Sequence, residues 1–159
     1  QATQTCATLP NANEMSWYVV YGDPHWDADE LWTTMGHLYK GGMWFKKKSV
    51  LIAEGHYNTE KGADNSTDSR TIYKPYSNFS INFDLPSIAD VGNYFYLPAL
   101  GQYYDGKLST VGNLGNYWSS TAVPGTGPGI SGYNFSFGTG YIDLGNLHRR
   151  FGFRVGTFE

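Results

Sequence analysis

Among 159 residues there is one cysteine, Cys6. A lone thiol excludes an internal disulfide framework and any zinc site built on several cysteines. It leaves an extracellular home open, because a chain of this length with 40% hydrophobic residues can bury an adequate core without cross-links. Near the start of the chain, Cys6 reads as a small apolar strand residue. Charge is scarce too, at net −3. That balance excludes the electrostatic footprint of a nucleic-acid binder. Lys46, Lys47 and Lys48 form the one basic run and read as a solvated strand end rather than the seat of an anionic partner. Long apolar runs are missing: none approaches the roughly 18 residues of a membrane span, so membrane insertion is not expected. No basic and then apolar leader opens the chain, which reads as processed or cut from a larger protein.

What is present in quantity is glycine, 20 residues, and aromatics, with 13 Tyr, nine Phe and five Trp. So many rings exceed what one core of this size needs, and some should be displayed as contact surface. Capping-box patterns mark two helices near the N-terminus. Asn11 and Glu14 precede Met15, Trp17, Tyr18 and Val19, with Pro10 fixing the entry. Asp27 and Glu30 repeat the device before Leu31, Trp32, Met35 and Leu38, an apolar stripe at helical spacing that Gly36 weakens and Gly41 with Gly42 ends. From Met43 the texture turns to β. Strands are predicted over 43–45, 49–53, 71–73, 94–97, 117–121, 133–137, 141–144 and 151–158. Residues 58–70, rich in Asn, Ser, Asp, Gly and Thr, and the Pro/Gly run 123–129 read as surface loops. No repeat or linker interrupts the chain, so 1–159 is expected to be a single α+β domain with many short antiparallel strands.

The residues that punctuate this pattern carry a resemblance. Leu97 and Pro98, Gly101, Asp105 and Gly106, Val111 and Gly112, and Gly115 lead to Tyr117, Trp118, Ser119, Ser120 and Thr121. Tyr133, Phe135, Phe137, Gly140, Arg150, Gly152, Phe153 and Val155 complete the series. Together they resemble the major paralogous domain of Fibrobacter and Bacteroidetes surface proteins, and Leu9 to Met15 is similar to that family's helix entry. The motif is dense over 94–155 and thin over 53–90. The resemblance implies a C-type-lectin-like fold, related to formylglycine-generating-enzyme domains and to retroelement-diversified variable proteins, with a loop-rich half carrying the ligand surface. It implies that the closing strand from Phe151 pairs with the opening strand before Pro10. Members of this kind often sit at the end of cell-surface or pilus (fimbrial) proteins, where they look like adhesins. Two departures matter. The calcium signatures of sugar-binding animal lectins are absent, and so are the paired active-site cysteines of the formylglycine-generating enzymes.

Within the dense stretch, residues that interrupt the motif are the candidate ligand contacts: Asn113, Leu114, Asn116, Tyr133, Asn134, Ser136, Asn146, Leu147, His148 and Arg149. Asn, Tyr, Ser and His combine hydrogen bonding with contact area at low entropic cost. In retroelement-diversified relatives, varied positions alternate with fixed ones here. The competing account is that these are ordinary turn and strand residues, since turns select Asn and Gly anyway. Tyr103 and Tyr104 join the candidates, because neighbours in an extended segment point to opposite sides and one ring can be displayed. Trp118 is expected to plug the core, and Arg150 to tie a carboxylate such as Asp143.

Other constellations carry less. Asp27 and Glu30 are expected in capping roles, so His25, Asp27, Asp29 and Glu30 are not read as a metal site. Asp64 and Asp68 lack the periodic order of a calcium loop. Ser119 and Ser120 are not at a nucleophile elbow, and His148 lies beside two arginines. The expectation is a non-enzymatic, extracellular recognition domain of a bacterial surface or pilus-tip protein, needing no cofactor or metal. Its partner would be a protein or glycan on another cell or particle. The rivals are an enzyme on the formylglycine-generating scaffold and a structural cap docking other pilin or surface-protein domains through Trp26, Trp32 and Trp44.

Overall fold

Asn11 and Glu14 behave as their spacing dictates. The Asn11 side chain accepts from the Glu14 amide at 2.9 Å, and the Glu14 carboxylate accepts from the Asn11 amide at 2.8 Å. This box starts α1, Ala12–Tyr21, which buries Ala12, Met15, Tyr18 and Val19 in the core. The computed structural model describes residues 5–125, 127, 130–153 and 158–159. Beyond α1 it contains β1 (His25–Thr34), β2 (His37–Lys46), α2 (Lys48–Ala53), β3 (Tyr76–Asn78), β4 (Tyr94–Pro98), β5 (Gln102–Tyr104), β6 (Lys107–Ser109), β7 (Gly115–Ala122), β8 (Ser131–Gly138) and β9 (Tyr141–His148). A three-residue 3₁₀ turn, Val91–Asn93, leads into β4. All strand pairs are antiparallel, in sheets ordered β1-β2-β4, β3-β9-β8-β7 and β5-β6. The described residues are thus mixed α and β, with two α-helices among them.

The second helix is not where the capping pattern put it. Residues 25–46 form a hairpin instead. Met35 and Gly36 take φ of 50° and 76°, the doubly left-handed pair that makes a two-residue turn match the twist of its strands. Asp27 Oδ1 does accept from the amides of Asp29 and Glu30, at 3.0 and 2.9 Å, but across a bulge between Asp27 and Leu31 rather than at a helix start. Leu31, Met35 and Leu38 are exposed, so the helical stripe has no core to face.

Residues 49–53, expected as a strand, lie in α2, where only Leu51 is buried. A short apolar run does not separate helix from strand by period alone, and here one anchoring side chain suffices. The strand expected at 71–73 is a turn, followed by β3. The strand at 43–45 forms within β2, and those at 94–97, 117–121, 133–137 and 141–144 within β4, β7, β8 and β9. The long loop over 58–70 is irregular and exposed for most of its length.

Phe45 joins the two larger sheets, with ring centroids 6.0, 5.3 and 5.8 Å from Phe95, Phe135 and Phe137. Phe158 enters the same core, 5.2 Å from Tyr18 and 5.0 Å from Phe135. The predicted pairing of 151–158 with the segment before Pro10 falls partly outside the described residues. Among those described, Gly152 bridges Tyr103, residues 5–10 form no strand, and the Pro10 carbonyl accepts from Ser119 Oγ and the Ser120 amide, both at 3.0 Å.

Candidate functional site

Strand alternation sorts the candidates before any distance is measured. Phe135, Phe137, Ile142 and Leu144 face the core, so Asn134, Ser136 and Asp143 point from the opposite face of the sheet. Register places Asn116, Ser136 and Asp143 in one row, and Trp118, Asn134 and Gly145 in the next. This outer face is a polar floor. It is largely shielded: Asn116 is 3% and Asn134 4% exposed, joined by a hydrogen bond at 3.4 Å, and Asp143 Oδ1 is buried without a bond.

Trp118 stands at the edge of that floor. It was expected in the core, but Tyr117 takes that place, fully buried with its hydroxyl donating to the Pro98 carbonyl at 2.6 Å. Trp118 points the other way and is half-buried, its ring lying over Gly132 and packing 4.5 Å from Phe153. Phe151 follows at 6.0 Å from Phe153, and Tyr104 at 4.7 Å from Phe151, stacked within 24°. The result is a strip of four rings contributed by β7, the segment after β9, and β5. An alternating Phe-Gly-Phe at 151–153 was its sequence signal, since residues two apart in an extended segment share a face.

Two arginines frame the strip. Arg150 does not tie Asp143; its guanidinium lies 5.3 Å from the Tyr104 ring and 5.8 Å from Phe151. Arg149 lies near Gly132 beside Trp118, and both arginines are exposed. Lys107 pairs with Tyr104 across the β5-β6 hairpin. Beside the strip is a cleft of about 290 Å³ lined by Met35, Leu100, Tyr103, Leu108, Gly152 and Phe153 among others. Tyr103 and Gly152 hold its wall by two mutual backbone bonds, 2.8 and 2.9 Å.

The predicted contacts therefore divide. Tyr103, Tyr104, Asn113, Asn146, His148 and Arg149 are exposed, and Leu114, Ser136 and Leu147 half-buried. Asn116, Tyr133 and Asn134 are buried and do not project, which corrects their assignment to a displayed surface. Tyr133 faces the core and its hydroxyl accepts from the Lys74 amide at 3.0 Å. Asn146 donates to the Tyr73 hydroxyl at 2.8 Å, and His148 Nδ1 accepts from the Arg150 amide at 3.3 Å. Trp118, Phe151, Phe153, Arg150, Lys107 and Met35 are among the members that the sequence reading did not select as contacts.

Elsewhere, polar groups are engaged locally. Both Asp27 oxygens are used, Oδ2 by the Trp44 indole at 2.9 Å. Trp26 is buried, and the half-buried Trp32 and Trp44 donate their indole N–H groups to the Gly41 carbonyl and to Asp27, so all three tryptophans expected to dock a neighbour are engaged within the chain. Asp64 accepts from the Thr67 hydroxyl and the amides of Ser66 and Thr67, which hold its carboxyl well below the ordinary range. The Arg70 guanidinium does the same for Asp68, aided by Asn13. Among the described residues no three His, Cys, Asp or Glu side chains are grouped to hold a metal. In one segment Phe79, Phe83, Leu85 and Ile88 are exposed, the last 98%. No helix among the described residues is long and apolar enough to cross a membrane. No family model matches the chain, and no curated protein or solved structure is detectably similar to it.

Proposed function

We propose that the chain is a non-enzymatic recognition domain of a bacterial surface or pilus-tip protein, extracellular and adhesin-like, with a C-type-lectin-like fold. The observation that carries this reading is the ring strip Trp118, Phe153, Phe151 and Tyr104 beside a cleft on the loop-rich end. Rigid rings with few torsions give contact area at low entropic cost, which suits binding rather than turnover. The resemblance of residues 94–155 to the major paralogous domain supports the same reading, and its ligand would be a protein or glycan on another cell or particle. The formylglycine-generating alternative needs paired cysteines, whereas Cys6 stands alone.

The test is binding to glycan and surface-protein arrays. Replacing Tyr104, Asn113 and His148 together with Ala should leave stability within about ±0.5 kcal/mol, as exposed substitutions do. Binding should fall at least tenfold. Unaltered binding would return these residues to scaffold. Diversification is a separate question for the source genome: a reverse transcriptase gene beside an imperfect repeat of the region coding for 112–149 would establish it, and the absence of both would end it.

A second reading has its own observation. Phe79, Phe83, Leu85 and Ile88 are large, apolar and exposed in one segment, as at a surface covered by a neighbouring domain. Under this reading the chain is a docking cap, and polar replacements at Phe83 and Ile88, not at Tyr104, would abolish assembly with the parent pilus.

A further inference from the structure

We infer that the ligand of the ring strip is an anionic glycan, one sugar stacking on the outer face of Tyr104 and the rest lying along the ring edges, while Arg149 and Arg150 take its carboxylate or sulfate groups. This rests on the recognition reading and narrows it to one ligand chemistry. Elsewhere among the described residues five cations are matched, Arg70 with Glu60 and Asp68, Lys40 with Asp29, Lys46 with Glu54, Lys47 with Glu159, and Lys74 with Asp64, while Lys48 and Lys61 stand singly and apart from one another in sequence. Arg149, Arg150 and Lys107 have no carboxylate within 4.0 Å among the described residues. In a chain of net charge −3, three unmatched cations at one end are a local inversion of sign. Asp105, in the turn between β5 and β6, is the one acidic side chain of that hairpin and is exposed.

The two arginines are placed at opposite ends of the strip. Arg150 lies at the Tyr104 end and Arg149 beside Trp118. Guanidinium is the donor that matches a planar carboxylate, or two sulfate oxygens, with a pair of parallel bonds. Phe151 and Phe153 each lie between two rings, so the free ring face is the outer one of Tyr104, whose negative π surface meets the polarised C–H groups of a pyranose, which an acyclic acidic chain does not offer. Nucleic acid also stacks on rings, but it is a long polyanion and would run from this patch onto an acidic body. The chemistry common to uronic, sialic and sulfated sugars, a ring bearing a fixed anion, fits both halves of the site.

The experiment titrates the whole chain with paired oligosaccharides that are neutral, carboxylated or sulfated on the same backbone. Polyglutamate and single-stranded DNA are the other two probes. Acidic saccharides should bind at least tenfold more tightly than their neutral parents and than either control. Binding should weaken as salt rises. Arg149→Gln with Arg150→Gln should remove at least tenfold, and Tyr104→Ala a similar factor. Lys61→Ala, a cation outside the strip, should change nothing. Preference for carboxylate or for sulfate identifies the acid and supports the inference either way. Equal binding of neutral parents, or polyglutamate or DNA bound as well as the acidic sugars, overturns it. If Tyr104→Ala still abolishes binding to neutral sugars or proteins, the recognition reading survives that failure. If no probe or cell surface binds, and Tyr104→Ala alters nothing, both fall. Circular dichroism of each variant confirms folding, and the single substitutions Arg149→Gln and Arg150→Gln serve if the pair does not fold.

Discussion

Tyr117 and Trp118 are neighbours with opposite fates, and the difference sets the size of two mutational effects. Tyr117 is fully buried, so Tyr117→Ala should cost about 3–5 kcal/mol, as large aromatic truncations in cores do. Trp118 is half-buried, and Trp118→Ala should cost roughly 1–2 kcal/mol. Thermal unfolding of both variants decides it; equal losses would put the two rings in one environment. Asp64 and Asp68 supply a second test at this scale. Their folded carboxyls sit below the ordinary value, so they contribute stability that is present above about pH 4, where the unfolded groups are ionised, and lost as pH falls toward the folded values. The melting temperature should stay level from pH 7 to about 4 and then drop. Asp68→Asn should be less stable than wild type at pH 7 but show a shallower acid limb, and an unchanged limb would assign acid sensitivity to other groups.

At the scale of elements, the β1-β2 hairpin is the clearest case of a signal that pointed both ways. Its turn forces Met35 to a left-handed φ that Asn tolerates better, so Met35→Asn should raise stability by up to about 1 kcal/mol. Gly36→Ala should lower it by a similar amount, measured by chemical denaturation; the reverse order would mean the turn is of another type. The same residues explain why the helix predicted there failed. A carboxylate followed by two amides it can reach is common to a helix start and to a bulge, and a spacing of Leu31, Trp32, Met35 and Leu38 carries no record of which side faces a core. By contrast Asn11 with Glu14, and the alternation of rings with Asn and Ser in 133–137, were legible because the cap needs only its own residues and alternation has one meaning. The site was legible in part. Asn116 and Asn134 carry the composition of a paratope, but register turns them onto a shielded row of the sheet, and register is a property of pairs of strands.

Across the whole molecule, one core serves both large sheets, and the C-terminal end plugs it. Phe158 packs among Tyr18, Phe95, Tyr117 and Phe135, and the Glu159 carbonyl accepts from the Lys48 amide at 2.7 Å. Phe158→Ala should therefore cost about 3 kcal/mol or more and lower one cooperative transition. Two separated transitions would mean that the sheets unfold independently. The Tyr103–Gly152 bridge has a different kind of consequence. It is a single isolated pair that clips the end of the chain to the β5-β6 hairpin, so the rings on either side of it belong to segments 49 residues apart in sequence. A ligand spanning both would act as a second clasp on that junction. The amide protons of Tyr103 and Gly152 become its reporters: their exchange with solvent deuterium should slow on binding, while those of the β8-β9 ladder, already held on both sides, keep their rates.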